Sequence, residues 1–116
     1  MEHYKQKIGL LGEKIAEKYF RALGYMVYRN VRYGTKQIDI IACKTNEMRI
    51  IEVKTIFKDN YKEKYLTLAK KHALKTSYNI FNLILAKNKE YLYIDLIIIY
   101  IINKKMANIK YYKSII

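Results

Sequence analysis

The chain has 116 residues, enough for one hydrophobic core and too few for two, so we expect a single domain over 1–116. Its one cysteine, Cys43, excludes an internal disulfide and a cysteine zinc site, and the first residues contain no uninterrupted apolar signal core, so we expect a cytoplasmic location. The formal net charge of +13 predicts a polyanionic partner, most simply nucleic acid, because each neutralised phosphate releases counterions.

The positive charge also fits two alternatives. A lysine-rich composition can simply solvate the surface. An anionic membrane is a weaker alternative, because the basic residues are scattered rather than gathered on one amphipathic helix. The longest apolar run, Leu96 to Ile102, has seven residues and is too short to cross a membrane, so we expect no membrane partner.

The first predicted element is an amphipathic helix from Ile8 to Leu23, in which apolar residues recur every three or four positions. Gly24 is suited to a left-handed cap that ends the helix. Gly12 falls near the middle of the apolar arc, which predicts a close approach of the helix to a sheet. Glu13 lies at the edge of that arc, where it either reaches over the sheet or points to solvent.

Three strands are predicted next. Tyr25 to Asn30 forms the first, and Val31 to Lys36 is predicted to be a polar connection. The β-branched runs Gln37 to Ala42 and Arg49 to Thr55 predict a hairpin, joined by a six-residue polar turn from Cys43 to Met48.

The second half of the chain predicts a further helix and further strands. Ile56 to Lys64 has no clear period and is predicted to be a mobile loop, followed by a helix from Tyr65 to about Tyr78. Phe81 to Ala86 and Tyr91 to Ile102 are predicted strands, the latter apolar on both faces and hence central or covered on both sides. The tail, Asn103 to Ile116, fits either a strand or a short helix. The order αβββαββ predicts an α/β fold, a mixed central β-sheet flanked by helices.

Three charged residues interrupt the predicted hairpin strands: Asp39, Glu52 and Lys54. Charges in such apolar surroundings are costly unless they are paired or bind a metal. Strand alternation places Glu52 and Lys54 on one side, and Asp39 on the partner strand can converge with Glu52 on one Mg²⁺ ion. Lys54 is then placed to orient an attacking water or to stabilise the charge of a phosphodiester transition state.

The Glu-x-Lys pattern occurs once in the chain, although it contains seven Glu residues. The alternative to a catalytic role is a buried structural ion pair, with Asp39 a residue at the hairpin edge. Asp95, inside an apolar strand, is expected to be hydrogen-bonded at a sheet edge and receives no catalytic role.

Several short motifs follow one another along the chain: Gly9-Leu10-Leu11-Gly12-Glu13, Leu23-Gly24-Tyr25, Arg29-Asn30-Val31-Arg32, Ile38-Asp39-Ile40-Ile41 and Ile51-Glu52-Val53-Lys54-Thr55. Together they resemble the YraN family of predicted endonucleases, within the restriction-endonuclease-like (PD-(D/E)xK) superfamily. The resemblance covers nearly the whole chain. Archaeal Holliday-junction resolvases show a weaker similarity.

The resemblance implies a restriction-endonuclease-like core and an Mg²⁺- or Mn²⁺-dependent endonuclease that hydrolyses DNA phosphodiester bonds, with branched or recombination-related DNA as a candidate substrate. Asp39 and Glu52 would be the metal ligands, Lys54 the catalytic lysine, and Glu13 an additional acidic group of the catalytic site.

Four basic residues are assigned to nucleic-acid binding: Lys70 and Lys71 by resemblance, together with Arg32 and Lys36. The chain departs from the usual family pattern at two positions, where Gln37 replaces a Glu and Ile56 replaces an Arg. A non-catalytic DNA-binding protein with the same fold is the main alternative function, and a structural module without nucleic acid is the third. A homodimer would suit cleavage of two strands.

Overall fold

The computed structural model of the protein describes residues 2–33, 36–57, 67, 68, 71 and 92–115. Its elements are α1 (Glu2–Ala22), β1 (Met26–Tyr33), β2 (Lys36–Lys44), β3 (Glu47–Phe57), β4 (Leu92–Asn103) and β5 (Met106–Tyr112). The strands form one sheet in the order β1-β2-β3-β4-β5, in which β3 and β4 are parallel and the other neighbours antiparallel. The protein is therefore a mixed α/β fold with a helix against a five-stranded sheet.

Helix α1 packs the predicted apolar face against the sheet. Ala16 and Phe20 are fully buried there and pack with Val27, Ile51 and Ile97 from three different strands. The helix begins at Glu2, earlier than the periodicity predicts, and ends at Ala22. Gly24 follows with φ of 92°, a left-handed conformation that few other residues adopt without strain, and this confirms its predicted role as the helix cap.

The hairpin is tighter than predicted. The register pairs Lys44 with Glu47, so the turn contains only Thr45 and Asn46 rather than six residues. Asn46 adopts φ of 62°, which asparagine tolerates better than most residues, and Cys43 belongs to strand β2. The polar composition was therefore a poor guide, because alternating side chains of a paired strand can face solvent.

The connection predicted from Val31 to Lys36 is also mostly strand. Val31 pairs with Ile38, and Tyr33 pairs with Lys36 at the end of the same ladder. The antiparallel β1–β2 pairing thus continues into the segment from Val31 to Lys36, although few of its side chains are apolar.

Strand β4 is central, as its apolar composition predicts. Ile97 and Ile99 face the helix side, while Leu96 and Ile98 belong to a cluster on the other side, and all four are fully buried. The tail left open between strand and helix is strand β5, which pairs antiparallel with β4.

Several predictions fall partly or wholly outside the described residues. Ile56 and Phe57, predicted to begin a loop, continue strand β3, and the rest of that segment is outside. Thr67, Leu68 and Lys71 have helical backbone within the predicted second helix; its other residues and the strand predicted from Phe81 to Ala86 are outside. In the described part of the chain, no helix is long and apolar enough to span a membrane.

Candidate active site

A glycine sets how closely helix α1 approaches strand β3. A Cβ placed on Gly12 would lie 2.9 Å from Cβ of Thr55 and closer still to its hydroxyl oxygen. Only a residue without a side chain allows this contact, as the sequence predicts. The next residue, Glu13, is thereby carried over the sheet rather than out to solvent, which decides between the two alternatives for it.

Asp39 lies where the strand pairing of β2 changes. The β2–β3 ladder ends at the pair Ile40 and Ile51. The β1–β2 ladder continues on both sides of Asp39 but contains no pair for Asp39 itself. The Asp39 carboxylate lies toward β3, where its Oδ2 accepts a hydrogen bond of 2.9 Å from the backbone N–H of Val53. Asp39 is thus held beside the strand that carries Glu52.

The carboxyl groups of Glu52 and Asp39 meet. Burial, followed by the negative charge of Asp39 and a side-chain hydrogen bond with it, raises the pKa of Glu52 to about 8. The positive charge of Lys54 opposes this shift, and the charge of Glu13 adds to it. The two acids therefore resist carrying two negative charges at once.

Glu13 is the third acid of this group. Burial raises its pKa, as does the charge of Asp39, whereas a side-chain hydrogen bond from Asn30 and the charge of Arg29 lower it. Its Oε2 is buried without a hydrogen-bond partner among the described residues. We call Glu13, Asp39 and Glu52 the carboxyl site.

Arg29 and Asn30 lie beside the carboxyl site, although the sequence marks them only as members of a motif. Arg29 lies 2.9 Å from Glu17 through Nε and Oε1, and its charge reaches Glu13. Asn30 Oδ1 accepts a 3.2 Å hydrogen bond from Gln37 Nε2. An asparagine inside an otherwise strand-like run, able to adopt left-handed backbone, was the signal that the sequence offered.

An open cleft of about 390 Å³ adjoins Glu13, and its lining residues are Gly9, Leu10, Glu13, Asn30 and Gln37. It lies between helix α1 and the β1–β2 pair and reaches the carboxyl site only at Glu13.

The cations predicted to contact nucleic acid are not gathered at the carboxyl site in the described part of the chain. Arg32 is exposed on β1 and Lys71 is exposed in the second helical segment, while Lys70 and the side chain of Lys36 lie outside the described residues. Exposed basic residues occur on several other elements as well: Lys14 and Lys18 on α1, Lys44 at the hairpin turn, Lys54 on β3, and Lys104, Lys105, Lys110 and Lys113 around β5.

Asp95 belongs to a different, structural cluster. It is fully buried and accepts two hydrogen bonds from Arg49 Nη1, at 3.0 and 3.1 Å. The hydroxyl of Tyr111 and the backbone N–H of Ser114 also donate to it. The expectation of an edge position is wrong, since β4 lies between β3 and β5.

The helix, the mixed sheet and the carboxyl site define the class: an α/β protein in which the carboxyl groups of Asp39 on β2 and Glu52 on β3 are hydrogen-bonded, with Glu13 on α1 within electrostatic reach. The chain matches the model of Uncharacterised protein family UPF0102 over residues 12–99, a span that includes the carboxyl site and Lys54, and it belongs to that family. This confirms the family expected from the motifs.

The curated relatives are UPF0102 proteins. The chain is 44% identical over 50 residues to one from Bacteroides thetaiotaomicron, covering 42% of this chain and 41% of the relative. It is 36% identical over 62 residues to one from Clostridium perfringens, covering 53% and 51%. For one from Chloroherpeton thalassium the identity is 36% over 78 residues, covering 64% and 60%. Each match therefore spans less than two thirds of the relative.

Proposed function

We propose that the protein is a metal-dependent endonuclease of the restriction-endonuclease-like class, which hydrolyses phosphodiester bonds in DNA. The observation that carries the proposal is the meeting of the Asp39 and Glu52 carboxyl groups, with Glu13 within electrostatic reach of both. Burial and crowding disfavour the ionised forms of these acids, and a bound cation would offset that cost.

The donor set fits a hard divalent cation such as Mg²⁺ or Mn²⁺. The raised pKa of Glu52 beside Asp39 and a buried Glu13 oxygen without a partner in the described structure both mark an excess of negative oxygen that a cation would relieve. Among the described residues, no three His, Cys, Asp or Glu side chains form a ready-made metal cluster. Mg²⁺ suits such a site, because proteins hold it through one or two carboxylates, with water and substrate phosphate supplying the other oxygens.

In this proposal, Asp39 and Glu52 hold the ion and Glu13 adds an outer negative charge. When bound, the ion would supply positive charge to a phosphate oxygen and lower the pKa of a water molecule. The backbone N–H of Val53 fixes the orientation of Asp39 through its 2.9 Å hydrogen bond. The Lys54 ammonium is close enough to Glu52 for its positive charge to lower the pKa of that acid. In the reaction, this ammonium offsets the negative charge that develops on the phosphate while the water oxygen bonds to phosphorus and the leaving oxygen departs.

Cleavage assays test this assignment. With Mg²⁺ or Mn²⁺, we expect the wild type to cut at least one of duplex, single-stranded and branched DNA, and Asp39→Asn, Glu52→Gln and Lys54→Ala each to lose about 100-fold or more. Glu17→Gln, on the same helix as Glu13, and Lys110→Ala, an exposed lysine on β5, serve as matched controls and should retain activity. Equal cleavage by wild type and Glu52→Gln would contradict the proposal.

The second candidate function is DNA binding without hydrolysis. It is favoured by the hydrogen bond between Glu52 and Asp39, because a hydrogen-bonded carboxyl pair also fits a purely structural role. Both candidates predict binding that weakens roughly 10-fold or more between 50 and 200 mM salt. Binding that survives Glu52→Gln, with no metal-dependent turnover by the wild type, would select the second candidate. No binding at moderate salt would exclude both.

A further inference from the structure

Strand β1 contains a residue whose backbone is unusual for a strand. Asn30 adopts φ of 55°, in the left-handed region, although its neighbours pair regularly with β2. Arg29 pairs with Ile40 and Val31 pairs with Ile38, but Asn30 and the facing Asp39 form no ladder pair. The interruption of the sheet therefore coincides with the acid that the carboxyl site requires.

The same interruption exchanges the faces of the flanking side chains. Strict alternation would place Ile38 and Ile40 on one face of β2, yet Ile40 packs with Ile51 on the helix side while Ile38 packs with Ile50 and Ile94. The β1–β2 register is the same on both sides of the gap, so no extra residue is inserted there, and the left-handed backbone of Asn30 lies at the gap itself. The consequence is that Asp39 leaves the ladder and reaches the N–H of Val53.

The side chain of Asn30 completes the connection between helix and sheet. Its amide oxygen accepts the 3.2 Å hydrogen bond from Gln37, and its side chain lines the same cleft as Glu13, where hydrogen bonding lowers the pKa of that acid. An amide can accept and donate at once, which a carboxylate at position 30 cannot do. Gln37, where the family pattern usually has an acid, here serves as the donor that orients Asn30.

We propose that Asn30 is a positioning residue of the carboxyl site: its left-handed backbone releases Asp39 from the β1–β2 ladder, and its amide holds Glu13 toward Asp39 and Glu52. This inference rests on the proposed function, since it assumes that the three acids act together on one divalent ion. Asn30 itself touches neither substrate nor ion.

Two substitutions separate the backbone role from the amide role. Asn30→Gly keeps the left-handed conformation accessible and removes the amide, whereas Asn30→Ala removes the amide and also disfavours that conformation. Asn46 has φ of 62° in the β2–β3 turn, so Asn46→Gly and Asn46→Ala are matched controls for the general cost of changing a left-handed asparagine.

The backbone role is tested without metal, by following the Val53 amide resonance in ¹H–¹⁵N NMR spectra. We expect Asn30→Ala to shift this resonance strongly, because Asp39 loses its place as acceptor, and Asn30→Gly to shift it much less. The Asn46 variants should leave it unchanged. A Val53 resonance that is the same in wild type and Asn30→Ala would overturn the backbone role, whatever the protein does to DNA.

The amide role is tested by Mn²⁺ affinity, measured by isothermal titration calorimetry or electron paramagnetic resonance, in a cycle with Glu13→Gln. Introduced into the wild-type protein, Asn30→Gly should weaken Mn²⁺ binding about 3- to 10-fold. Introduced into the Glu13→Gln variant, it should weaken binding no further, because the amide acts through Glu13. If Asn30→Gly weakens Mn²⁺ binding by the same factor in both backgrounds, the amide role is wrong and the nuclease proposal is unaffected. If the wild type binds no Mn²⁺, both the metal-dependent function and the amide role are wrong.

Discussion

At the scale of single residues, the carboxyl site shows a conflict between stability and function. Burial and the neighbouring charge of Asp39 make an ionised Glu52 unfavourable, and its pKa rises from 4.5 to about 8. A neutral side chain would fit this place better in the protein without metal. Sites that hold cations commonly carry such a cost, because the acids are arranged for the ion rather than for one another.

We predict that Glu52→Gln stabilises the protein without metal at alkaline pH. The raised pKa means that the folded protein keeps a proton that the unfolded chain loses, so the stability from this proton is full below about pH 4.5 and is lost as the pH rises through 8. Glutamine cannot ionise and can still donate a hydrogen bond to Asp39. Thermal unfolding should show a melting temperature roughly 5 °C or more above wild type at pH 9, and little difference at pH 4.5.

Two outcomes would contradict the prediction for Glu52→Gln. A gain that is the same at pH 4.5 and pH 9 would mean that packing rather than ionisation decides the effect. An unchanged melting temperature at pH 9 would mean that Glu52 is ionised without cost. Glu17→Gln is the control, because Glu17 is an acid paired with Arg21 at 2.9 Å. Its melting temperature at alkaline pH should not rise above that of the wild type.

At the scale of elements, the packing of α1 on β3 decides where the third acid lies. Gly12 contacts Thr55 with no room for a Cβ, while no described atom lies within 4 Å of a Cβ placed on Gly9, one turn earlier. The two glycines have the same intrinsic cost in a helix, but only one of them is required by the packing.

We therefore predict opposite effects for two identical substitutions. Gly12→Ala should lower the free energy of unfolding by about 1–3 kcal/mol, because helix or strand must move to admit the methyl group. Gly9→Ala should raise it by up to about 1 kcal/mol, since alanine favours the helix. Urea denaturation measures both values. A stabilising Gly12→Ala would show that the contact with Thr55 yields easily and does not fix the position of Glu13.

At the scale of the whole molecule, one buried ionic cluster joins three strands and the C-terminal segment. Arg49 on β3 reaches Asp95 on β4, which also accepts from Tyr111 on β5 and from Ser114 beyond it. Arg49 also contacts the Tyr25 hydroxyl at 3.3 Å. The cluster links β3 to β4 and β4 to β5 through side-chain hydrogen bonds. None of its hydrogen bonds among the described residues involves the carboxyl site.

We predict that Asp95→Ala destabilises the fold by about 3–5 kcal/mol, because Arg49 Nη1, the Tyr111 hydroxyl and the Ser114 N–H lose their acceptor, and the buried guanidinium keeps only the Glu47 carboxylate at Nε. Replacing both partners, with Arg49→Met and Asp95→Leu, should cost less than the sum of the two single changes. A double-mutant cycle by urea denaturation measures the coupling. Strictly additive losses would show that Arg49 and Asp95 contribute to stability independently.

The approach of Asp39 to Glu52 and of Gly12 to the sheet was predictable because the signals for both are local. Alternation along β3 predicted that Glu52 and Lys54 share a side, the hairpin predicted that Asp39 approaches Glu52, and the helical period placed Gly12 against a sheet. The element boundaries were less predictable. The turn at Thr45 and Asn46 was expected to be longer, because polar side chains on an exposed face of a strand resemble a loop in composition.

The sequence by itself determined the family, the α1 face, the helix and two strands that carry the three acids, and the interior place of β4, since each follows from local motifs, periodicity or composition. Only the tertiary structure decided that Asn30 interrupts the ladder opposite Asp39, that Glu13 has a buried oxygen without a partner among the described residues, and that Arg49 pairs with Asp95, 46 residues away. These features depend on which strands become neighbours and in what register, and that choice is made by the packing of the whole core rather than by any local segment.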